Sequence, residues 1–140
     1  VDMPEAYFDF VYSIYGMGWA TDLQFVFNRV SRYLKKGGCF VFSLQHPLHH
    51  CVQWQDGALV FSKQYFDESW FKLPLDEGEM VLCNRTISTY INALANAGFY
   101  IERMIEQSDA RSMDTGLGAD EKTKKARMLP LSFCIKARKI

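Results

Sequence analysis

A basic excess, a metal-type cysteine spacing and an apolar run of membrane length are all missing from this sequence. Lysine plus arginine and aspartate plus glutamate number 16 each, so the formal net charge is zero. Without a charge imbalance nothing marks the whole chain as a nucleic-acid binder, and only a local patch could serve that role. The four cysteines, Cys39, Cys51, Cys83 and Cys134, contain no Cys-x-x-Cys pair. That spacing argues against a disulfide framework and for a reducing, cytoplasmic setting. Cys39 and Cys134 lie inside apolar runs and read as small core residues. No stretch approaches the roughly 20 apolar residues that span a bilayer, and no secretory leader pattern is visible. Internal repeats and low-complexity tracts are also lacking. His46, His49, His50, Cys51 and Cys83 do not show the paired spacing of a zinc site, and adjacent His49 and His50 do not easily face one ion. No metal is expected.

What is present suits one packed domain. The chain has 140 residues, of which 49% are hydrophobic and 15% aromatic, enough to build a core. It opens on Val1 and enters a strand pattern within a few residues, which we read as a piece of a longer chain.

Phe8-Asp9-Phe10-Val11-Tyr12-Ser13 is a β-rich run. Thr21 and Asp22 supply N-cap chemistry for a helix whose apolar face is Leu23, Val26, Phe27, Val30 and Leu34. Lys35 and Lys36 suit its C-terminal dipole, and Gly37-Gly38 are expected to stop it. Cys39 to Leu44 is a continuous apolar run, as in a strand covered on both faces. Strand, helix, strand in this order predicts a parallel βαβ unit.

Residues 46–85 break that rhythm, being far longer than the usual connection of roughly 2–6 residues. We read them as an insertion, with a hairpin at Asp56-Gly57. A second helix is predicted over Thr86–Asn96, with Ile87, Ile91 and Leu94 buried and Gly98 ending it. Tyr100–Glu106 reads as a strand. A polar stretch from 107 to 130 carries a Lys/Arg-rich piece suited to a short helix, and Leu131–Arg138 alternates as a final strand.

The ordered set carries a resemblance. Phe8 to Ser13, a loop, an amphipathic helix, and then Leu34-Lys35-Lys36-Gly37-Gly38-Cys39-Phe40-Val41-Phe42-Ser43 resemble the fourth through fifth strands of class I S-adenosylmethionine-dependent methyltransferases. Lys36 stands where that family usually has proline. His46-Pro47 is similar to a frequent pattern of the small-molecule methyltransferases, and Arg85 to Tyr90 with Leu94 and Ala97-Gly98-Phe99 resembles the next helix and its exit. The resemblance covers nearly the whole chain but only the C-terminal portion of the family's domain. The family's glycine-rich loop and its acidic ribose and adenine contacts have no counterpart here. Gly16-Met17-Gly18 imitates a dinucleotide loop, but Thr21 replaces the third glycine, Trp19 crowds the turn, and no acidic residue ends the next strand.

The resemblance implies an α/β fold. It would be a partial Rossmann-like sheet with strands equivalent to 4-5-7-6, the last antiparallel, and an inserted β-hairpin or lid. It implies S-adenosylmethionine as the cofactor of the intact parent. Met3 would be a remnant of the adenine pocket wall, and Ser13 and Ile14 would pass the cofactor's methionine part. Methyl transfer is a direct displacement at a sulfonium methyl, in which positioning can supply roughly 7–11 kcal/mol.

Ligands of open α/β sheets sit at the carboxyl ends of the strands. Tyr15 and Trp19 therefore either line the transfer site, where aromatic faces attract a cation, or pack the loop. His46 is the candidate base, the alternative being a capping histidine beside Pro47. Trp54, Phe61, Tyr65, Phe66, Trp70 and Phe71 are read as an apolar lid, with Trp54, Tyr65 and Trp70 touching substrate, or as a hairpin packed on the sheet. The Lys122–Arg127 run is most simply a solvated helix face.

The expected function is methyl transfer to a small-molecule acceptor by the intact parent, with the fragment alone inactive. The alternative is a non-catalytic methyltransferase-like binding or dimerisation module. With the first strand's place empty, Phe8–Ser13 would be an open apolar edge. The expected partners are a second copy or the missing N-terminal half.

Overall fold

The computed structural model describes residues 2–107 and 120–140. A four-stranded mixed sheet carries the chain, built from β1 (Phe8–Ile14), β2 (Leu34–Gln45), β7 (Phe99–Gln107) and β8 (Ser132–Lys139) in the order β1-β2-β8-β7. β1 and β2 are parallel, and β8 is antiparallel to both its neighbours. Two separate two-stranded hairpins complete the β-structure. One pairs β3 (Val52–Gln55) with β4 (Ala58–Phe61), the other β5 (Trp70–Leu75) with β6 (Gly78–Cys83).

The helices are α1 (Leu23–Tyr33), α2 (Pro47–Cys51), α3 (Ile87–Asn96) and α4 (Glu121–Met128). Asp22 caps α1, its carboxylate accepting from the Phe25 amide at 2.9 Å, and the Thr86 hydroxyl caps α3. Both helices pack on one face of the sheet. Because side chains alternate along a strand, Phe40, Phe42, Phe133, Ile135 and Ala137 all point to that face, and all are essentially sealed from solvent. Phe27 of α1 meets Phe40 and Phe42 at ring separations of 5.5 and 5.4 Å. Tyr90 of α3 meets Phe42 and Phe133 at 5.9 and 5.4 Å. On the opposite face of β1, Phe10, Tyr12 and Ile14 stand 52%, 66% and 68% exposed. No helix among the described residues is long and apolar enough to cross a membrane.

Several expectations need correcting. α1 stops at Tyr33, before the lysines and glycines read as its end. Leu34 is wholly buried and already pairs with Phe8, so the chain turns into β2 there. Lys35 pairs with Asp9 at 2.9 Å, and the last carbonyls of α1 are satisfied from far along the chain. Lys139 donates to Ser31 O at 2.6 Å and Leu34 O at 2.8 Å. The single inserted hairpin is two hairpins preceded by α2. Asp56 and Gly57 do form the first turn, with φ of 50 and 82 as a tight two-residue hairpin requires. In α3 the fully buried residues are Tyr90, Ala93 and Leu94, while Ile87 and Ile91 are half-buried. Cys39 is buried, whereas Cys134 is only half-buried. The Lys/Arg-rich piece is α4, and residues 108–119 of the polar stretch lie outside the described residues.

Candidate functional site

A cavity of about 180 Å³ opens at the carboxyl ends of the parallel strands β1 and β2. Tyr15 follows β1, Leu44 and Gln45 end β2, and Gly18 and Trp19 come from a 3-10 turn at Met17–Trp19. Met80, Leu82 and Cys83 of β6 form the opposite wall, with His50 of α2, Asn84, Arg85 and Tyr90 closing the inner end. The second hairpin therefore shapes the cavity with aliphatic and sulfur side chains.

Tyr15 holds a φ of 58, a left-handed conformation uncommon for an aromatic residue. Its amide donates to Ser43 O at 2.9 Å, which fixes the backbone as it leaves the strand. Such backbone outliers cluster at functional sites. Trp19 is 52% exposed at the rim.

Arg85 is 7% exposed. Its Nη2 donates to Ala20 O and so ties the loop after β1 to the start of α3. Its guanidinium carbon lies 5.9 Å from the Trp70 ring. Nη1 is buried without a hydrogen-bond partner among the described residues. Burial pushes the Tyr90 phenol up to about 12, partly opposed by the Arg85 charge. Burial, together with Lys63 and Lys125, lowers His50 to about 4, so it is neutral at physiological pH.

The residues predicted from sequence separate into groups. Tyr15 and Trp19 line the cavity. His46 does not; it is 3% exposed and caps α2, its Nδ1 accepting from the Leu48 amide at 3.2 Å. Its Nε2 lies 2.8 Å from Glu106 Oε1 on β7, so both ring nitrogens are engaged. This is the capping arrangement. Trp70 stands behind Arg85, away from the lining. The Tyr65 hydroxyl accepts from the Ile87 amide at 3.2 Å, at the start of α3. Trp54 lies 5.5 Å from the Lys124 ammonium, on the α4 side. Phe61 and Phe66 are 65% and 83% exposed. No group of His, Cys, Asp or Glu among the described residues gathers as metal ligands would.

The three residues read as cofactor contacts do not converge. Met3 shares a shallow groove with Phe8, Phe10, Val11, Tyr12 and Tyr33, and that groove has no lining residue in common with the cavity. Ile14 is exposed, and Ser13 Oγ occupies space beside Gly16. These residues supply one apolar wall and no carboxylate for a ribose. They do not form a cofactor cradle by themselves.

Arg85, Asn84, Met80 and Leu82 were not singled out from sequence, and His50 was weighed there only as a metal ligand. For Arg85 a signal existed: it immediately precedes the N-cap Thr86, where a helix start meets the strand ends. Nothing local marked the other three.

A mixed α/β sheet with a cavity at the carboxyl ends of its parallel strands has the layout of part of an open-sheet α/β domain. The family model of the methyltransferase domain matches residues 1–42. An uncharacterized protein of Haemophilus influenzae is 27% identical over 99% of this chain, which spans 57% of that protein's length. The crystal structure of an S-adenosylmethionine-dependent methyltransferase from Mesorhizobium loti is 27% identical and superimposes with a TM-score of 0.77, covering 99% of this chain and 65% of its own. A Listeria monocytogenes structure, provisionally assigned the same activity, superimposes with a TM-score of 0.82 at 22% identity, over 100% of this chain and 65% of its own. The chain is thus similar to S-adenosylmethionine-dependent methyltransferases, a family whose name implies use of that cofactor, and it spans about 60% of the length of such proteins.

Proposed function

We propose that the protein carrying this chain transfers a methyl group from S-adenosylmethionine to a small-molecule acceptor, and that this chain supplies the acceptor-facing wall. One observation carries the reading: the cavity sits at the carboxyl ends of β1 and β2, with Tyr15 in a left-handed conformation at its edge. In this reading the four strands correspond to 4, 5, 7 and 6 of the complete sheet. Residues 46–85 are an insertion that walls the acceptor site, and Met3, Ser13 and Ile14 are one side of the cofactor site. Tyr15 and Trp19 place aromatic faces near the sulfonium. His46 holds the loop after β2 in place through its cap and its bond to Glu106. The work of this chain is then to exclude water and orient the acceptor, the two contributions that matter most in a direct displacement.

The exposed row of Phe10, Tyr12 and Ile14 favours a second reading, a non-catalytic methyltransferase-like module that binds another chain along β1. Methyl-labelled S-adenosylmethionine incubated with the protein and a small-molecule cell extract decides between them. Label moving into the small-molecule fraction, and falling on Trp19→Ala, is expected. Label that stays on the donor, or enters only macromolecules, overturns methyl transfer to a small molecule.

A further inference from the structure

Arg85 poses a problem of charge. Its guanidinium is buried beside the cavity, forms no ion pair among the described residues, and leaves Nη1 without a partner. A buried charge without a counter-charge is costly, and an orphaned buried donor needs an explanation. The polar groups around it do not resolve the imbalance. The Ala20 carbonyl and the Trp70 face are neutral. Tyr90, raised to about 12, stays a neutral phenol, so its side-chain hydrogen bond with Arg85 brings no counter-charge. Glu68, whose charge reaches Tyr90 and Cys83, keeps that charge while accepting from the Thr86 amide at 3.3 Å and the Thr89 hydroxyl at 2.9 Å, but it makes no ion pair with Arg85 among the described residues and leaves Nη1 unpartnered. On the other side His50 is uncharged and feels the positive charges of Lys63 and Lys125. Of the other lining residues, Leu44, Met80, Leu82 and Trp19 are apolar, and Gln45 and Asn84 bring only neutral amides.

We propose that the cavity takes a ligand with an apolar body and a carboxylate, and that Arg85 receives the carboxylate through its unpartnered Nη1. A planar guanidinium matches the two oxygens of a carboxylate. Leu44, Met80 and Leu82 then cover the body. Identifying this ligand with the methyl acceptor rests on the proposed function, whereas the carboxylate preference does not.

Cyclohexanecarboxylate and its neutral isostere cyclohexanecarboxamide are suitable probes, since neither absorbs where tryptophan emits. Each is titrated into the full chain at high salt, where surface lysines are screened, with Trp19 at the rim as reporter. The carboxylate is expected to bind about tenfold more tightly than the amide, the effect of one added charge-assisted contact. Arg85→Gln is expected to abolish the preference while leaving amide affinity near its original value. If that variant does not fold, the guanidinium nitrogen resonances of the unaltered chain serve instead; they shift with the carboxylate and not with the amide. A cavity that takes neither probe, equal affinity for both, a preference that survives Arg85→Gln, or unmoved guanidinium signals overturns the proposal. The two readings fail separately. Carboxylate preference without label transfer sinks methyl transfer alone, and label transfer without the preference sinks the Arg85 assignment alone.

Discussion

Acidification probes the cavity wall through His50. In the unfolded chain this imidazole titrates near 6.5, and in the folded chain burial, aided by Lys63 and Lys125, lowers it to about 4. Between these values the unfolded state binds more protons than the folded one. The contribution of neutral His50 to stability is therefore complete above about pH 7 and is lost as pH falls through 6.5 toward 4. A displacement of about 2.5 units corresponds to about 3.4 kcal/mol at 1.36 kcal/mol per unit. His50 is only half-buried, so water screens much of this, and about 1–2 kcal/mol is the expected size. Urea unfolding followed by circular dichroism, on the unaltered chain and on His50→Gln, isolates the effect because all other titrating groups are common to both. The stability advantage of the histidine protein over the glutamine variant should shrink by about 1–2 kcal/mol between about pH 7 and pH 4.5. A difference that stays constant over that range would refute the burial argument and the positive surroundings assigned to the cavity.

Two further substitutions test the packing. A Cβ on Gly38 would lie 2.9 Å from both Leu34 Cδ2 and the Lys35 carbonyl oxygen, so Gly38→Ala should cost about 1–3 kcal/mol in urea unfolding; Gly18→Ala, meeting only Leu44 at 3.6 Å, is the tolerated control. Phe42 is fully buried against Phe27, Tyr90 and Phe133, and Phe42→Ala should cost about 3–5 kcal/mol by the same measurement.

The parts of the fold legible in the sequence were those governed by local patterning. Asp22 before an amphipathic run, Thr86 before another, and the continuous apolar run Cys39–Leu44 each declared an element, because capping and periodicity act within a few residues. The end of α1 was misread because Leu34 obeys the helical spacing and is yet claimed by the sheet through pairing with Phe8. The second hairpin turns at Asp76-Glu77, closed by Gly78 at φ 97, a turn signal left unread because Pro74 inside β5 argued against a strand there. α2 could have been read, since His46 caps it and Pro47 takes the first helical position, but at five residues it is too short to show periodicity. The site was legible at the strand ends, in Tyr15 and Trp19, and illegible across the insertion. Which residues of β6 reach the cavity depends on how a hairpin folds back over the sheet. The choice among Trp54, Tyr65 and Trp70 followed residue type, and aromatic type alone does not decide which side chain faces a ligand.

The place of β8 between β2 and β7 has a consequence for how the chain folds. β8 follows the other described strands in sequence, yet it fills the middle of the sheet and carries Phe133, Ile135 and Ala137 into the core. Until it emerges, β7 has no strand to pair with and β2 keeps a bare edge. The Lys139 ammonium that closes the carbonyls of α1 arrives later still, more than a hundred residues after the helix it completes. α1 and α3 are too short to be stable alone, and the sheet they pack on is complete only once β8 pairs. Folding of this sheet thus depends on a long-range closure, and its aromatic core stays unsealed until β8 is in place.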